Sequence, residues 1–284
     1  MKPEGTPAAP LWLDVDTGVD DALALGLAVR AGANLIGVST VAGNVPIDFA
    51  TDNTRGVLAF VGADHVHVHR GASRPLAVAY QDAAHVHGSN GLGGADIGDK
   101  RAPESDVNGV EAILNAAARH TGKLVLVALG PLTNVAIALS LRPGLARQVG
   151  RLVIMSGAFR VPGNVTPHAE FNAFADPHAA AQVLKADWSE LIAVGLDVTH
   201  QTVVSRDQWE GIGDGAPVTA GLVRQIGART FVERGMDGFY LHDPLAVAVA
   251  LDPSLVTTEP MEIAVSLDEK TQGKTTLSGT GSVL

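Results

Sequence analysis

Short apolar runs alternate with helical patterns along the whole chain, and this alternation restricts the fold more than any other feature. Residues 11–16, 34–41, 66–69, 123–129, 151–155 and 191–195 read as strands. Residues 20–31, 46–61, 132–141, 176–186, 217–234 and 243–251 read as helices, with further strands at 261–267 and 275–277. Most of the strand-like runs are continuously apolar, as strands covered on both faces are. Parallel neighbours need a crossover between them, usually a helix. The expected fold is therefore α/β: a single-domain, open, mainly parallel sheet with helices on both faces around a Rossmann-like core. Asp176-Pro177 and Asp243-Pro244 each place a capping residue before a proline at the first helical position. No Pro-, Gly- or Ser-rich linker divides the chain. Residues 11–284 are thus expected to form one domain behind a disordered tail at 1–10.

Composition narrows the function. A formal charge of −10 without a basic stripe argues against nucleic acid as a partner. The absence of cysteine removes disulfides, thiolate metal sites and cysteine nucleophiles together. Residues 1–10 are polar and proline-rich, without the apolar centre of a signal peptide, and no apolar run approaches the roughly 20 residues that span a bilayer. The expectation is a cytoplasmic protein with no membrane partner.

In an open α/β sheet, ligands bind beyond the carboxyl ends of the strands. The segment there, Leu13-Asp14-Val15-Asp16-Thr17-Gly18-Val19-Asp20-Asp21, packs four carboxylates between a buried strand and a buried helix. The period of two puts Asp14 and Asp16 on one side near the strand end, while Asp20 and Asp21 open the helix. Four acids this close cannot all stay ionised unaided. Either some hold protons or a hard cation sits among them, calcium before magnesium. A solvated acidic turn is the simpler alternative.

Other segments fall at the same sheet edge. Asn44, in Ala42-Gly43-Asn44 after the second strand, either faces the carboxylates or caps the next helix. Gly130-Pro131 interrupts the ladder after residue 129, which frees the Leu129 carbonyl for a hard cation or simply makes a strand-to-helix turn. The stretches 70–104 and 156–175 are longer than loops in compact domains usually are, which points to function. The second carries Asn164, Glu170 and Asn172, groups suited to sugar hydroxyls. Asp243 can cap a helix, bind metal or do both. His242 is either a core histidine or a proton donor beside a carboxylate.

Other motif readings fail. His65, His67 and His69 share one strand face, whereas a zinc site wants ligands from different segments. An EF-hand loop needs glycine and glutamate where Val19 and Leu25 stand. Gly91-Leu92-Gly93-Gly94 follows no convincing strand, which argues against a dinucleotide loop. A haloacid-dehalogenase-like phosphatase expects Ser or Thr where Gly18 stands and remains the runner-up analogy. No Gly-x-Ser-x-Gly elbow is present.

Taken together, these segments resemble the inosine-uridine-preferring nucleoside hydrolase family over about residues 11–276. The resemblance rests on Asp14-x-Asp16-x-Gly18-x-Asp20-Asp21, Ala42-Gly43-Asn44, His87-Gly88 with Gly91-Leu92-Gly93, Gly130-Pro131-Leu132-Thr133-Asn134, Asn164 with Glu170-Phe171-Asn172, and His242-Asp243-Pro244-Leu245-Ala246. It implies calcium held by Asp16, Asp21, the Leu129 carbonyl and Asp243, with Asp16 as general base on a water. It further implies that Asp20, Asn44 and Asn172 hold the lower ribose hydroxyls and that Asn164 and Glu170 reach the 5′-hydroxyl. Met155 would line the ribose pocket, Asp14 would support the site from behind, and His242, His87 or both would assist the leaving base. The implied activity is N-glycosidic hydrolysis of ribonucleosides, a salvage reaction, by a homodimer or homotetramer. Hydrolysis of a modified nucleoside and non-catalytic ribose or calcium binding are the alternatives. Ser156 and Ser89-Asn90 depart from the family's usual residues, and the family usually continues with another strand after 278–284. These departures bear on base preference and C-terminal packing.

Overall fold

A chain of buried apolar strands separated by amphipathic helices can hide both strand faces only as a three-layer sandwich. The computed structural model, which describes residues 8–212 and 218–278, is such a sandwich. Its central sheet comprises β1 (Pro10–Val15), β2 (Asn34–Thr40), β3 (Val68–Arg70), β4 (Glu104–Ser105), β5 (Val125–Ala128), β6 (Arg151–Met155) and β7 (Leu191–Val194). The order is β4-β3-β2-β1-β5-β6-β7, and every pairing is parallel. The chain winds outward from β1 to β4, then returns to β5 on the other side of β1. The order therefore reverses between β1 and β5, and a crevice opens at their carboxyl ends.

The helices are α1 (Val19–Arg30), α2 (Ile47–Phe60), α3 (Ala84–His87), α4 (Gly109–Arg119), α5 (Thr133–Leu141), α6 (Leu145–Gln148), α7 (Phe171–Ala175), α8 (Pro177–Lys185), α9 (Leu196–Thr199), α10 (Arg206–Glu210), α11 (Val218–Ala228) and α12 (His242–Leu251). The alternation along β1 sorts them into two layers. Leu11, Leu13 and Val15 pack with α1, α2, α11 and α12, whereas Trp12 packs with α4, α5 and α8 on the opposite face. Asp14 has the parity of Trp12, so it enters the second layer fully buried.

Some expectations shift. The alanine-rich helix α4, capped by the Asn108 side chain, falls in a stretch to which the sequence assigned no element. The long helix expected at 217–234 is α11 as far as Ala228, followed by a π-helical turn at Arg229–Glu233; residue 217 lies outside the described residues. The last two strands, β10 (Glu262–Val265) and β11 (Thr275–Ser278), form an antiparallel pair apart from the central sheet, as do β8 (Val203–Ser205) and β9 (Gly238–Tyr240). Helix α8 has the expected Asp176 cap with Pro177 behind it, but α12 begins at His242 with Leu241 as its cap. Asp243 thus lies inside the first turn and does not cap. Of the expected tail at 1–10, residues 1–7 lie outside the described residues, and β1 opens at Pro10. Of the terminal stretch 278–284, all but Ser278 lie outside them too.

Candidate active site

The crevice between β1 and β5 collects the acidic motif because β1 ends at Val15 and α1 begins four residues later. Asp16 is fully buried; its Oδ2 accepts the Asn44 backbone N–H at 2.6 Å and its Oδ1 accepts Asn44 Nδ2 at 3.2 Å. The same amide donates to Asp21 Oδ2 at 3.2 Å. Asn44 thus clamps two acids and caps no helix, since Pro46 precedes α2. Asp21 in turn accepts the backbone N–H groups of Asp16 at 3.2 Å and Gly18 at 2.9 Å. Two glycines make room: a Cβ on Gly43 would lie 2.1 Å from Asp16 Oδ2, and one on Gly130 would lie 2.9 Å from Oδ1.

Single carboxylate oxygens of Asp20, Asp21 and Asp243 lie within 4.8 Å of one another. Burial pushes the carboxyls of Asp16 and Asp243 well above the usual range, and neighbouring acids push them further. Asp21 is raised to about 6 by burial and by Asp20, and Asp20 is itself raised by burial. Asp20 Oδ1 is buried with no hydrogen-bond partner. A dense set of oxygen donors, one of them orphaned, is what a hard cation requires. Leu129 lines the neighbouring cavity, and its carbonyl accepts Asn172 Nδ2 at 2.6 Å. The residues present therefore fit a divalent cation.

Asp14 stands apart from this cluster. Its Oδ1 accepts Ser39 Oγ at 2.5 Å and Asn134 Nδ2 at 2.8 Å, and Trp12 Nε1 donates to Ser39 Oγ at 2.9 Å. Burial raises its carboxyl to about 7 against those two bonds. Its place is behind the floor, joining β1 to β2 and α5.

Helix α7 supplies one wall. Glu170 caps it, accepting the N–H of Asn172 at 2.7 Å and of Ala173 at 3.1 Å, and also accepts Gly157 N–H at 3.0 Å and Ser156 Oγ at 3.3 Å. Asn164 Oδ1 accepts Phe171 N–H at 2.9 Å. Asn172 Nδ2 also donates to the Met155 carbonyl at 3.0 Å. Asn164, Glu170, Asn172 and Met155 all line one cavity of about 240 Å³.

Two histidines face that cavity from other directions. His87 Nδ1 accepts Val19 N–H at 3.0 Å, so its proton is on Nε2. Gly18 makes this possible, because a Cβ there would lie 2.3 Å from Nδ1. His242 Nδ1 lies 2.7 Å from Thr199 Oγ1, and its ring adjoins those of Tyr240 and His200. Burial lowers both imidazoles to about 4, so each is neutral at pH 7.

The cavity thus brings together His87, His242, Asp20, Asn44, Leu129, Met155, the α7 wall and Asp243. Asp16 and Asp21 lie beneath it, joined to it through Asn44. Sequence reasoning missed the outer part of the lining, including Val86, Ile226, Arg229, Thr230, Phe239 and Tyr240. These come from α3, α11, the π turn and β9, whose motifs carry no acidic or amide signature. Only Tyr240, two residues before His242, had a usable signal.

The family model described as inosine-uridine preferring nucleoside hydrolase matches residues 11–282. The non-specific ribonucleoside hydrolase RihC of Shigella boydii is 37% identical over 272 residues, covering 95% of this chain and 86% of that protein. Among solved structures, the plant nucleoside hydrolase PpNRh1 superposes with a TM-score of 0.88 at 31% identity, over 96% of this chain and 87% of that one. A purine-preferring ribonucleoside hydrolase from Gardnerella vaginalis gives 0.85 at 33% identity, over 95% and 89%. No helix among the described residues is long and apolar enough to cross a membrane.

Proposed function

Because the chain belongs to the inosine-uridine-preferring nucleoside hydrolase family and is an N-ribosyl hydrolase, we propose that it carries out calcium-dependent hydrolysis of ribonucleosides to ribose and free base, as a salvage enzyme. The observation that carries this reading is the group of Asp20, Asp21 and Asp243 at a cavity lined by amides and neutral imidazoles. Asp16, Asp21, the Leu129 carbonyl and Asp243 would hold the calcium. When bound, that ion acidifies and positions a water and offsets the crowded negative charge.

The chain's own residues supply the rest. Asp16 takes the proton as the water oxygen bonds to C1′ and the C1′–N bond breaks. Cleavage builds positive charge on the ribose, as in glycoside hydrolysis generally, and the surrounding carboxylates stabilise it. Asp20, Asn44 and Asn172 hold the lower hydroxyls, Asn164 and Glu170 meet the 5′-hydroxyl, and Met155 packs against the sugar. His87 offers Nε2–H towards the leaving base, with His242 beside it. Both act as neutral hydrogen-bond donors, given their lowered pKa values. We place the enzyme in the cytoplasm as a homodimer or homotetramer, with a single hydrolase domain that opens at β1.

The test is ribose release from purine and pyrimidine nucleosides by wild type and Asp16→Ala. Release by wild type that is lost in the variant supports the reading. No release from any nucleoside by the calcium-loaded protein sinks it.

A further inference from the structure

The cavity divides by chemistry into two ends. The strand-end floor presents carboxylates and amides suited to hydroxyls, so the groups left over must meet the remainder of a nucleoside. They come from α3, α11, the π turn with its cap Arg234, and β9; most are apolar or aromatic, and of the polar ones, which include His85, Thr230 and Arg234, Arg229 alone has a buried side-chain N–H without a partner. Its Nε is buried and has no hydrogen-bond partner, although the side chain as a whole is 28% exposed. Its Nη1 is held at 3.3 Å by Glu233, one turn along. A Cβ placed on Gly88 would lie 3.5 Å from the Arg229 Cζ and Nη1. The guanidinium therefore lies against the backbone immediately after His87. Gly88 has φ +81 and no side chain to displace it. A buried N–H without an acceptor is costly in a folded protein, so an acceptor arriving with the ligand explains it. The π turn that projects Arg229 is a form that recurs at functional sites.

We propose that Arg229 receives the leaving base, donating to its carbonyl oxygen or ring nitrogen and stabilising the negative charge that gathers there as C1′–N breaks. This rests on the hydrolase reading above. The electron pair of that bond goes to the base nitrogen, while the water oxygen supplies the new bond to C1′. A guanidinium donates and cannot accept. It suits a base edge with oxo groups and clashes electrostatically with an amino-bearing edge. Glu233 positions it by fixing one end of the fork.

The experiment compares wild type, Arg229→Gln and Arg229→Lys on inosine, adenosine and p-nitrophenyl β-D-riboside, whose leaving group departs unaided and presents no base edge. Loss of a charged donor to the transition state predicts a fall of about 10²-fold in kcat/KM for inosine in Arg229→Gln. Adenosine should fall less, the aryl riboside should be nearly unchanged, and Arg229→Lys should recover part of the inosine rate. Equal losses on all three substrates, or no loss on any, overturn the proposal. A second arm needs no turnover: in an Asp16→Asn background, inosine binding measured by calorimetry should weaken about tenfold when Arg229→Gln is added, the size of one lost charged hydrogen bond. Unchanged affinity, or no binding at all, overturns the role of Arg229. Wild type that hydrolyses no nucleoside, with the binding arm still weakened, removes the hydrolase reading alone.

Discussion

The floor and the outer wall of the cavity are built on different terms. At the floor, Asp16, Asp21 and Asn172 are buried on or just after strand ends and helix starts, and backbone amides, carbonyls or side-chain amides hold each one. At the outer wall, Val86 and Tyr240 are 37% and 43% exposed, and the main contacts are rings and one ion pair. The difference teaches which half of the substrate is fixed. In the proposed reading, the sugar, which is constant across nucleosides, would be met by pre-organised polar groups on rigid elements, where small displacements are expensive. In the same reading, the base, which varies, would be met in part by half-exposed side chains such as Val86 and Tyr240 on short segments.

The comparison breaks most sharply at Asp16. Asp16→Ala should lower kcat by about 10⁴-fold or more, the upper end for loss of an acid–base group, and by the same factor for every base. Ribose release from inosine, adenosine and uridine would check this, and a base-dependent loss would erase the division. Next in size is Gly43→Ala, whose new Cβ would lie 2.1 Å from Asp16 Oδ2. It should cost about 1–3 kcal/mol of stability by overpacking and lower activity uniformly, read by thermal melting and kcat together.

Tyr240→Ala should instead act on KM, by about tenfold, a typical loss for one base–aromatic stack. Its effect should differ between purines and pyrimidines, and thermal stability should hardly move. A uniform fall in kcat would place Tyr240 with the floor.

The smallest effect is a pH dependence that belongs to the floor. Asp14 and Asp21 are raised to about 7 and 6, and Asp16 and Asp243 well above the usual range. The folded state therefore keeps protons that the unfolded chain releases near pH 4, and stability falls as pH rises through the folded values. The two imidazoles, lowered to about 4, oppose this only below their unfolded value near 6.5. Between pH 6.5 and 8 the carboxyls act alone. Chelator-treated protein should lose on the order of 5 °C in Tm across that interval, and added calcium should remove the loss. A flat profile in chelator would contradict the crowding of acids at the floor.

The floor was legible in the sequence because its groups are polar residues at fixed offsets from strand ends, where period and topology say a ligand must lie. Asp16, Asp20, Asp21, Asn44 and Asp243 were singled out this way, and the structure brings Asp20, Asp21 and Asp243 together. The sheet was legible through its apolar runs, and 151–155 has the expected bounds. Helix α4 escaped notice although Val110, Ile113, Leu114 and Ala117 mark an apolar face at helical spacing, because it follows directly on a long loop. Arg229 escaped because an arginine inside a helical pattern reads as solvated surface. It lies three residues after Ile226, on the helix face that lines the cavity. Glu170 was read as a sugar-binding group from its loop, and the structure adds that it organises that loop, with both oxygens engaged by backbone amides.

The contact between Gly18 and His87 has an evolutionary consequence. A side chain at 18 would collide with the imidazole whose Nδ1 completes the start of α1. A different residue at 87 would leave the Val19 N–H without its acceptor. Neither position can drift alone, so the two should be inherited as one choice, far apart in the chain and substituted together when they change at all.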